Sequence, residues 1–332
     1  MEERHQELKR LGFFGILKES FKLIFSHKKL FTQISQSLLI PISIILEVKI
    51  LTAILFSFNM FKNRADPEDI TVFIIPQYST LNISYIASFK WVALWLLSEV
   101  TYLILLLVLS ILSTVTIAYS TASIYKTKDT TFKKAAAVVP ELWKPVLITF
   151  LLVFAVTFVY DYILGPVLGL ILRLLFLKRF AFLKIVIGVI LTVLYIVVFV
   201  YITLIWHVGT MVSALENDIY GAKAIIKGRN FLKGKMKDSV AVFVVLLTLA
   251  AGVDAAFALV VVYGTIRIWA IRIGIGILLV LLKLMMVLIG LVAQTVIYFV
   301  CKSYHDENFE DLYDAADDQK LSLDVQYQKL TV

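Results

Sequence analysis

Six ionisable residues interrupt apolar runs that are long enough to cross a membrane: Glu47, Lys49, Glu99, Asp161, Asp254 and Lys283. A charge at the centre of a bilayer costs roughly 2.5–3.5 kcal/mol on the insertion scale, so such a side chain should face protein, water or a ligand. Four of them could form a polar path for a proton, an ion or a lipid headgroup: Glu47, Asp161, Asp254 and Lys283. The alternative is structural, because paired charges between helices also fix packing.

Spacing separates the pairs that can form from those that cannot. Glu47 and Lys49 are two residues apart, about 200° around a helix, and therefore cannot pair with each other. Asp254 and Lys283 lie near the centres of neighbouring apolar runs and could pair. Glu99 could equally sit at a membrane interface.

Recognisable catalytic patterns are missing from the sequence. Its four histidines, His5, His27, His207 and His305, are far apart along the chain, so no two of them have metal-ligand spacing. Neither an HExxH pair, nor a GxSxG turn, nor a GxxxxGK[ST] phosphate loop occurs. We therefore expect no catalytic residue, no metal site and no cofactor, and we predict that the protein is not an enzyme.

The amino-acid composition indicates whether these residues lie in a soluble domain or in a membrane. Of the 332 residues, 60% are hydrophobic and 17% are charged, whereas about a quarter of the residues of a soluble domain are charged. So many apolar residues cannot be buried in one globular core of this size, because its surface would still need polar cover. The sequence predicts an all-α, polytopic transmembrane helical bundle.

Apolar runs of about 20 residues or more are candidates for spanning helices. There are six, at residues 37–58, 91–125, 146–176, 180–211, 240–265 and 271–300. The second is interpreted as one long tilted helix, and Gly165-Pro166 is expected to kink the third. Five or seven spans would follow if these two runs were divided differently. Residues 1–300 then form a single integral membrane domain, and the acidic residues 301–332 form a tail that we expect to be disordered.

Lysines and arginines indicate the orientation. Six spans place both termini on the same side as connections 126–145 and 212–239, and these segments carry most of the basic residues near span ends. The bias predicts that both termini are cytosolic. An N-glycosylation pattern begins at Asn82, on the predicted lumenal side. With no cleaved signal peptide visible, we expect insertion at the endoplasmic reticulum, and residence there or in a later membrane of the secretory pathway.

The densest basic cluster lies between the fourth and fifth runs. A helix there would place Leu215, Ile219, Ala222 and Ile226 on one face, with polar residues opposite. Its basic residues are Lys223, Lys227, Arg229, Lys233 and Lys235. We expect this amphipathic helix to lie on anionic headgroups at the cytosolic surface. Nucleic acid is not an expected partner, because spans divide the basic residues and no aromatic groove for bases accompanies them.

Two further stretches have the same design. Residues 11–31 place one apolar stripe on a helix: Leu11, Phe14, Leu17, Phe21 and Ile24. Residues 132–147 form a short apolar helix with lysines, which we expect to break at Pro140. The chain is therefore interpreted as three units, each a cytosolic amphipathic helix followed by two spans. Alternatively, such helices only fix topology and hold headgroups, at about 1 kcal/mol per near-surface lysine or arginine.

The run WHVGTMVSALENDIYGAKAIIKGRNFLKGK, from Trp206 to Lys235, combines a Glu, a Tyr-Gly pair, a helix and a Lys-Gly ending. With the start GILKESFKLIFSHKKLF and the end YFVCKSYH, most of the chain resembles a family of plant multi-pass membrane proteins of unassigned function. It more loosely resembles the bacterial membrane domain that is fused to glycerophosphodiester phosphodiesterases. The chain departs from the plant pattern at Gly228, where a Ser is usual, and in its more acidic tail after His305. The resemblance implies a fold and a membrane, and very little chemistry.

Two functions from different classes follow as hypotheses. The first is a non-catalytic membrane scaffold or regulator that acts through its basic amphipathic helices on anionic headgroups or on a partner. The second is a transporter or lipid-moving protein that uses the intramembrane ionisable residues. A GxxxG match at Gly165–Gly169 indicates close helix packing, and the sequence leaves open whether this packing is within one chain or in a homo-oligomer.

Overall fold

The computed structural model describes residues 2–64, 78–126, 131–176, 181–216, 219–264 and 268–307. Over these ranges the chain is helical and has no β-strand, which confirms the predicted all-α class. The α-helices are α1 Glu2–Lys9, α2 Phe13–Ser26, α3 Lys28–Ile34, α4 Ile40–Arg64, α5 Tyr78–Tyr125, α6 Phe132–Val159, α7 Gly165–Phe176, α8 Ala181–Leu215, α9 Ala222–Phe231, α10 Met236–Phe257 and α11 Trp269–Tyr304.

Six segments of the described chain are long and apolar enough to cross a membrane, as predicted. They are Lys28–Ile54, Leu96–Tyr125, Leu142–Val159, Val186–Leu215, Met236–Val262 and Trp269–Tyr304. Their outward side chains are apolar, for example Val193 and Val197 of α8, which are more than half exposed. Exposed apolar area on this scale is what lipid-facing helices present. The chain is an integral membrane protein.

The second predicted run is one continuous helix, as expected. Helix α5 has 48 residues, which correspond to about 70 Å of helix. A bilayer core is only about 30 Å thick, so α5 is much longer than its spanning part.

The basic stretch after the second span differs from its prediction. Helix α6 does not break at Pro140 but continues through Pro140 and Pro145 to Val159. Proline removes one backbone hydrogen bond and crowds a carbonyl of the preceding turn. Ending the helix would free still more backbone groups beside lipid, which costs more. Among the described residues, separate surface helices therefore precede the first and fifth spans but not the third.

Three π-helical turns interrupt the described α-helices. Ser35–Leu39 joins α3 to α4, and Tyr160–Leu164 joins α6 to α7 just before Pro166. The third, Ala258–Val262, closes α10. Such turns often mark functional positions. In the third turn, the carbonyl oxygen of Val261 accepts a hydrogen bond from Arg272 Nε of α11 at 2.9 Å.

The chain forms two compact units. The first comprises Met1–Gln33, Thr114–Leu247 and Ile289–Val332, and the second comprises Ile34–Ser113 and Thr248–Leu288. In the first unit, α8 packs against α6 and α9, and the core contains Met211, Tyr298 and Phe299 fully buried. In the second unit, α4 packs against the π-helical turn that closes α10.

Candidate functional site

Helix α9 packs on α8 through two glycines of the first unit. A Cβ placed on Gly228 would lie 2.8 Å from the backbone nitrogen of Gly209, so the two backbones are in direct contact. Ala224, Gly228 and Phe231 form the buried face of α9. Small residues at a helix crossing allow this close approach.

The faces of α9 differ in part from the prediction. The helix begins at Ala222, so Leu215 belongs to the end of α8 and Ile219 precedes α9. Ala222 and Ile226 are exposed, and Ile226 is 60% exposed. The protein-facing side consists instead of Ala224, Gly228 and Phe231. The two small residues of this set, Ala224 and Gly228, let the α9 backbone reach α8.

Gly221 fixes the start of α9. Its φ of +62° lies in the left-handed region that favours glycine. Its N–H donates to Thr149 Oγ1 of α6 at 2.8 Å, and Thr149 Oγ1 lies 2.9 Å from Ser213 Oγ of α8. Gly221 and Gly228, two glycines of the run that carries the family resemblance, thus hold α9 against α6 and α8.

Glu216, directly after α8, is the centre of a buried ionic network. Lys227 Nζ lies 2.7 Å from Glu216 Oε2. The Tyr298 hydroxyl donates to Glu216 Oε1 at 2.8 Å, and Lys302 Nζ donates to the same atom at 3.4 Å. The side chains of Glu216 and Lys302 are only 7% and 4% exposed. Buried charges are tolerated when they are paired and hydrogen-bonded, so this network joins α8, α9 and α11.

Lys227 connects this network to the carboxyl-terminal segment. Its Nζ also lies 3.1 Å from Glu307 Oε2. Partial burial alone would lower the pKa of Lys227, but the hydrogen bonds and charges of Glu216 and Glu307 outweigh it and raise the pKa above its ordinary value. Lys227 is therefore held in its charged form.

The first residues of the predicted acidic tail are docked on basic residues of the same unit. Lys9 Nζ donates to both carboxylate oxygens of Asp306 at 2.8 Å. This hydrogen bond from Lys9 lowers the pKa of Asp306. The His305 Nε2 atom lies 3.1 Å from the Phe231 carbonyl oxygen. The rest of the predicted tail, residues 308–332, lies outside the described residues.

Helix α2 is held by the first turn of α10 and by Lys235, the residue just before that helix. Asp238 Oδ1 accepts a hydrogen bond from the backbone nitrogen of Phe13 at 3.2 Å. Lys235 Nζ donates to the Leu11 carbonyl oxygen at 3.0 Å. The N-terminal helices, α9 and the carboxyl end of α11 therefore meet on one side of the first unit.

Helix α2 has one face that is buried in protein and an opposite face that is exposed. Ile16, Ser20, Leu23 and Ile24 form the face that is buried in protein. The outward face, which we call the Phe–Lys face, consists of Phe14, Lys18, Phe21, Lys22 and Phe25. The predicted apolar stripe is thus split, since Ile24 is buried whereas Phe14 is 80% exposed. Phe21 and Phe25 stack with their ring centroids 6.3 Å apart.

The five predicted membrane-surface residues after α8 fall into two groups. Lys223, Arg229 and Lys233 are exposed. Lys227 and Lys235 are partly buried and bonded within the protein, the first to Glu216 and the second to the Leu11 carbonyl. Of these five residues, the exposed first group is the one that can meet headgroups.

Two ion pairs lie inside the spans of the second unit. Lys283 Nζ lies 2.5 Å from Asp254 Oδ1, which confirms the pairing that their positions suggested. Lys49 Nζ lies 3.1 Å from Glu99 Oε2 and 4.2 Å from the centroid of the Tyr102 ring. Lys49 thus pairs with a neighbouring span and not with Glu47.

Glu47 has a different environment from these pairs. Its side chain is 2% exposed, and neither carboxylate oxygen has a hydrogen-bond partner among the described residues. The charges of Asp254 and Lys283 lie within electrostatic range of it. Of the other predicted site residues, Asp161 lies in the π-helical turn after α6 and Asn82 on α5, and both side chains lie outside what the structure describes.

Sequence reasoning missed Glu216, Tyr298 and Lys302 as a connected set. The sequence contains only a weak signal for this set. Glu216 is an acidic residue at the start of a strongly basic connection, and Lys302 is a lysine near the end of the last span. Metal-ligand clusters of three or more His, Cys, Asp or Glu residues do not occur among the described residues. Cys301 is buried.

Comparison with protein-family models identifies a family that covers most of the chain. The sequence model of a protein family described as a domain of unknown function (DUF8558) matches residues 1–323. No curated protein and no solved structure matches the chain.

Proposed function

Since the chain belongs to the family DUF8558, a domain of unknown function, we propose a function from its own residues. It is a non-catalytic multi-pass membrane protein, a scaffold or regulator that holds anionic lipid headgroups at the membrane surface through basic helices. The observation that carries the proposal is the Phe–Lys face of α2, in which outward phenylalanines alternate with exposed lysines.

The position of this face suits a membrane surface. The first span begins at Lys28, two residues after α2 ends. A helix beside a span has its outward side chains near the headgroups, where aromatic rings enter the interface and lysines meet lipid phosphates. Each such lysine contributes about 1 kcal/mol on an anionic surface. Exposed Lys223, Arg229 and Lys233 in and after α9 add to the same basic surface.

The attachment of α2 favours a scaffold over a flexible anchor. Asp238 and Lys235 bond the backbone at the start of α2, and the buried residues of α2 fix its rotation. The Phe–Lys face is therefore presented by folded protein, so lipid binding there and the arrangement of the first unit influence each other.

Lipid retention by the purified protein tests the proposal. Full-length protein would be extracted with an equimolar mixture of phosphatidylserine and phosphatidylcholine, and the retained lipids would be quantified by mass spectrometry. We expect phosphatidylserine to be enriched. Replacing Lys18, Lys22, Lys28 and Lys29 by glutamine should reduce the enrichment by up to about fivefold per lysine, since about 1 kcal/mol corresponds to that factor.

The matched control replaces the same four lysines by arginine, which keeps the charge and should keep the enrichment. A second control replaces Lys9, whose charge is paired with Asp306, and should leave the enrichment unchanged. Equal retention of both lipids by the wild type, or an arginine variant that behaves like the glutamine variant, would contradict the proposal.

The proposal also includes the orientation of the chain in the membrane and the membrane in which the protein resides. We place both termini in the cytosol and the protein in the endoplasmic reticulum or a later membrane of the secretory pathway, on the basis of the lysine and arginine bias. The resemblance of residues 206–235 supports a plant source. An endoglycosidase-sensitive mobility shift that disappears in Asn82→Gln would support lumenal exposure of the first connection. An amino-terminal tag protected inside sealed microsomes would overturn the orientation.

A second candidate function is transport or lipid movement, and Glu47 favours it. A buried carboxyl group without a hydrogen-bond partner among the described residues is costly unless a proton or a cationic group satisfies it. Asp254 and Lys283 are close enough to influence it. Intramembrane ionisable residues of this kind often mark ion or proton paths.

Proton flux into proteoliposomes under an imposed potential tests this second function. We expect flux with the wild type and none with Glu47→Gln, while Glu99→Gln, which removes a carboxylate already paired with Lys49, retains flux. No flux above that of empty liposomes in the wild type would exclude Glu47 as a proton path.

A further inference from the structure

An apolar cavity of about 660 Å³ runs along the first turns of α11 in the second unit. Its wall on α11 includes Ile273, Gly276, Ile277 and Leu281. The other side is lined by Phe257, the last residue of α10, and by Val261 in the π-helical turn that follows it. We call this cavity the α11 groove.

The groove opens toward lipid. Ile273, Ile277 and Leu281 are each at least half exposed, and all three belong to the spanning segment Trp269–Tyr304. An apolar cavity in such a segment does not hold water, because water there would lack polar partners. Hydrocarbon is therefore the occupant that the groove fits.

One end of the groove is cationic. Arg272 lines it, and its Nε donates to the Val261 carbonyl oxygen at 2.9 Å. Nη2 bonds the same oxygen, which leaves Nη1 for another acceptor. Gly264, with a φ of +65°, makes room for the guanidinium, since a Cβ there would lie 2.9 Å from Nη1. No carboxylate of the described residues pairs with Arg272.

Arg272 lies near the end of its span, at the depth in the membrane where lipid phosphates are found. The last two spans meet the interface at Val262 and Trp269, and exposed Tyr263 and Trp269 are the aromatic residues typical of that level. Along α11 the rise from Arg272 to Leu281, nine positions further on, is about 14 Å. Half the thickness of a bilayer core is about 15 Å. The groove therefore spans one leaflet.

We infer that the second unit binds one phospholipid, with its phosphate at Arg272 and one acyl chain along the α11 groove. Arginine forms charge-assisted, bidentate hydrogen bonds with phosphate oxygens, and the apolar wall receives the chain. This site shares no residue with the Phe–Lys face and does not depend on the function proposed for that face.

Two glycines provide a matched test of the acyl-chain position. A Cβ on Gly276 would lie 3.2 Å from Val261 Cγ2 at the groove wall, whereas a Cβ on Gly274 would have nothing within 4 Å. Gly276→Leu therefore fills the groove, and Gly274→Leu adds the same side chain to the same helix outside it. Both changes raise helix propensity equally.

The probe is a phospholipid with a diazirine near the end of one acyl chain, in nanodiscs that contain the full-length protein. After irradiation, adducts are mapped by mass spectrometry. We expect labelling of residues 273–281 to exceed labelling at Val193 and Val197 of α8, to fall about tenfold in Gly276→Leu, and to be unchanged in Gly274→Leu. A tenfold loss corresponds to 1.4 kcal/mol of binding. Equal labelling of both glycine variants, or no excess on α11, overturns the site.

The phosphate contact is tested with a diacylglycerol that carries the same photoreactive chain. We expect the wild type to prefer the phospholipid about tenfold, since a charged hydrogen bond is lost with the diacylglycerol. Arg272→Gln should abolish this preference and Arg272→Lys should keep part of it. Equal labelling of the wild type by the two lipids overturns the role of Arg272, and this comparison needs no variant to fold.

Discussion

Gly228 of α9 and Gly209 of α8 meet backbone to backbone, with 2.8 Å between a Cβ built on Gly228 and the Gly209 nitrogen. This contact places the Glu216–Lys227 pair, the Thr149–Gly221 bond and the docked carboxyl-terminal segment within one assembly. The first unit is therefore organised by a close helix crossing, and its charged network is built around that crossing.

Gly228→Ala should destabilise the protein, because the added methyl group has no space and the backbone of α8 must move. Such overpacking costs about 1–3 kcal/mol. The matched control is Gly252→Ala on α10, where a Cβ meets nothing within 4 Å and the gain in helix propensity is the same. Thermal unfolding of both purified variants in detergent measures the difference. Equal midpoints would show that the crossing tolerates a wider separation.

Glu216→Ala should also be strongly destabilising. It leaves the ammonium group of Lys302, whose side chain is 4% exposed, without its carboxylate, and breaking a buried pair costs about 3–5 kcal/mol. Lys223→Ala changes an exposed charge on the same surface and should stay within about 0.5 kcal/mol. Restoration of stability in the double variant Glu216→Leu with Lys302→Met would show that the cost comes from the orphaned charge and not from lost packing.

The carboxyl-terminal segment should be released by salt. The pairs Lys9–Asp306 and Lys227–Glu307 are partly exposed, and Asp306 is the most exposed of the four side chains at 71%. Salt screens such pairs. A nonspecific protease should therefore cut the segment around Asp306 and Glu307 faster at high salt, while cleavage beside exposed Lys233 serves as the reference rate. Identical relative rates at low and high salt would rule out electrostatic docking.

The same segment should stay docked in mild acid. Lys9 lowers the pKa of Asp306, so the bond contributes stability above the unfolded value of about 3.9. That stability is lost as the pH falls through the lower, folded value. Protection of the segment around Asp306 from a nonspecific protease that is active in acid should persist at pH 5 and weaken only below about pH 4. Lys9→Met lacks the partner and therefore this contribution at every pH, so its protection should already be weaker at pH 7 and should not depend on the protonation of Asp306.

Local sequence patterns were enough to predict the spans and one ion pair. Apolar runs of 20 residues are contiguous signals, and Asp254 and Lys283 were isolated charges near the centres of neighbouring spans. The network around Glu216 was not predictable in this way, because Lys302 is 86 residues away along the chain. Continuation of α6 through Pro140 depends on surrounding lipid and packing, which local propensity does not contain. The split of α2 into two faces required knowing which side meets protein.

Substitutions of Asp254 and Lys283 test whether this ion pair of the second unit has a structural role or a role in transport. Its atoms lie 2.5 Å apart, and the Lys283 side chain is 9% exposed. If the pair is structural, Asp254→Leu and Lys283→Leu should each reduce the amount of folded protein, because either change leaves one charge unpaired in a span. The double variant should recover the amount of folded protein, since a neutral apolar pair removes both charges.

The amount of folded protein is measured by fluorescence-detected gel filtration of a tagged full-length protein. The control is Leu278→Ala, a lipid-facing change on the same helix as Lys283. Normal abundance of both single variants with abolished flux in proteoliposomes would instead assign the pair to transport.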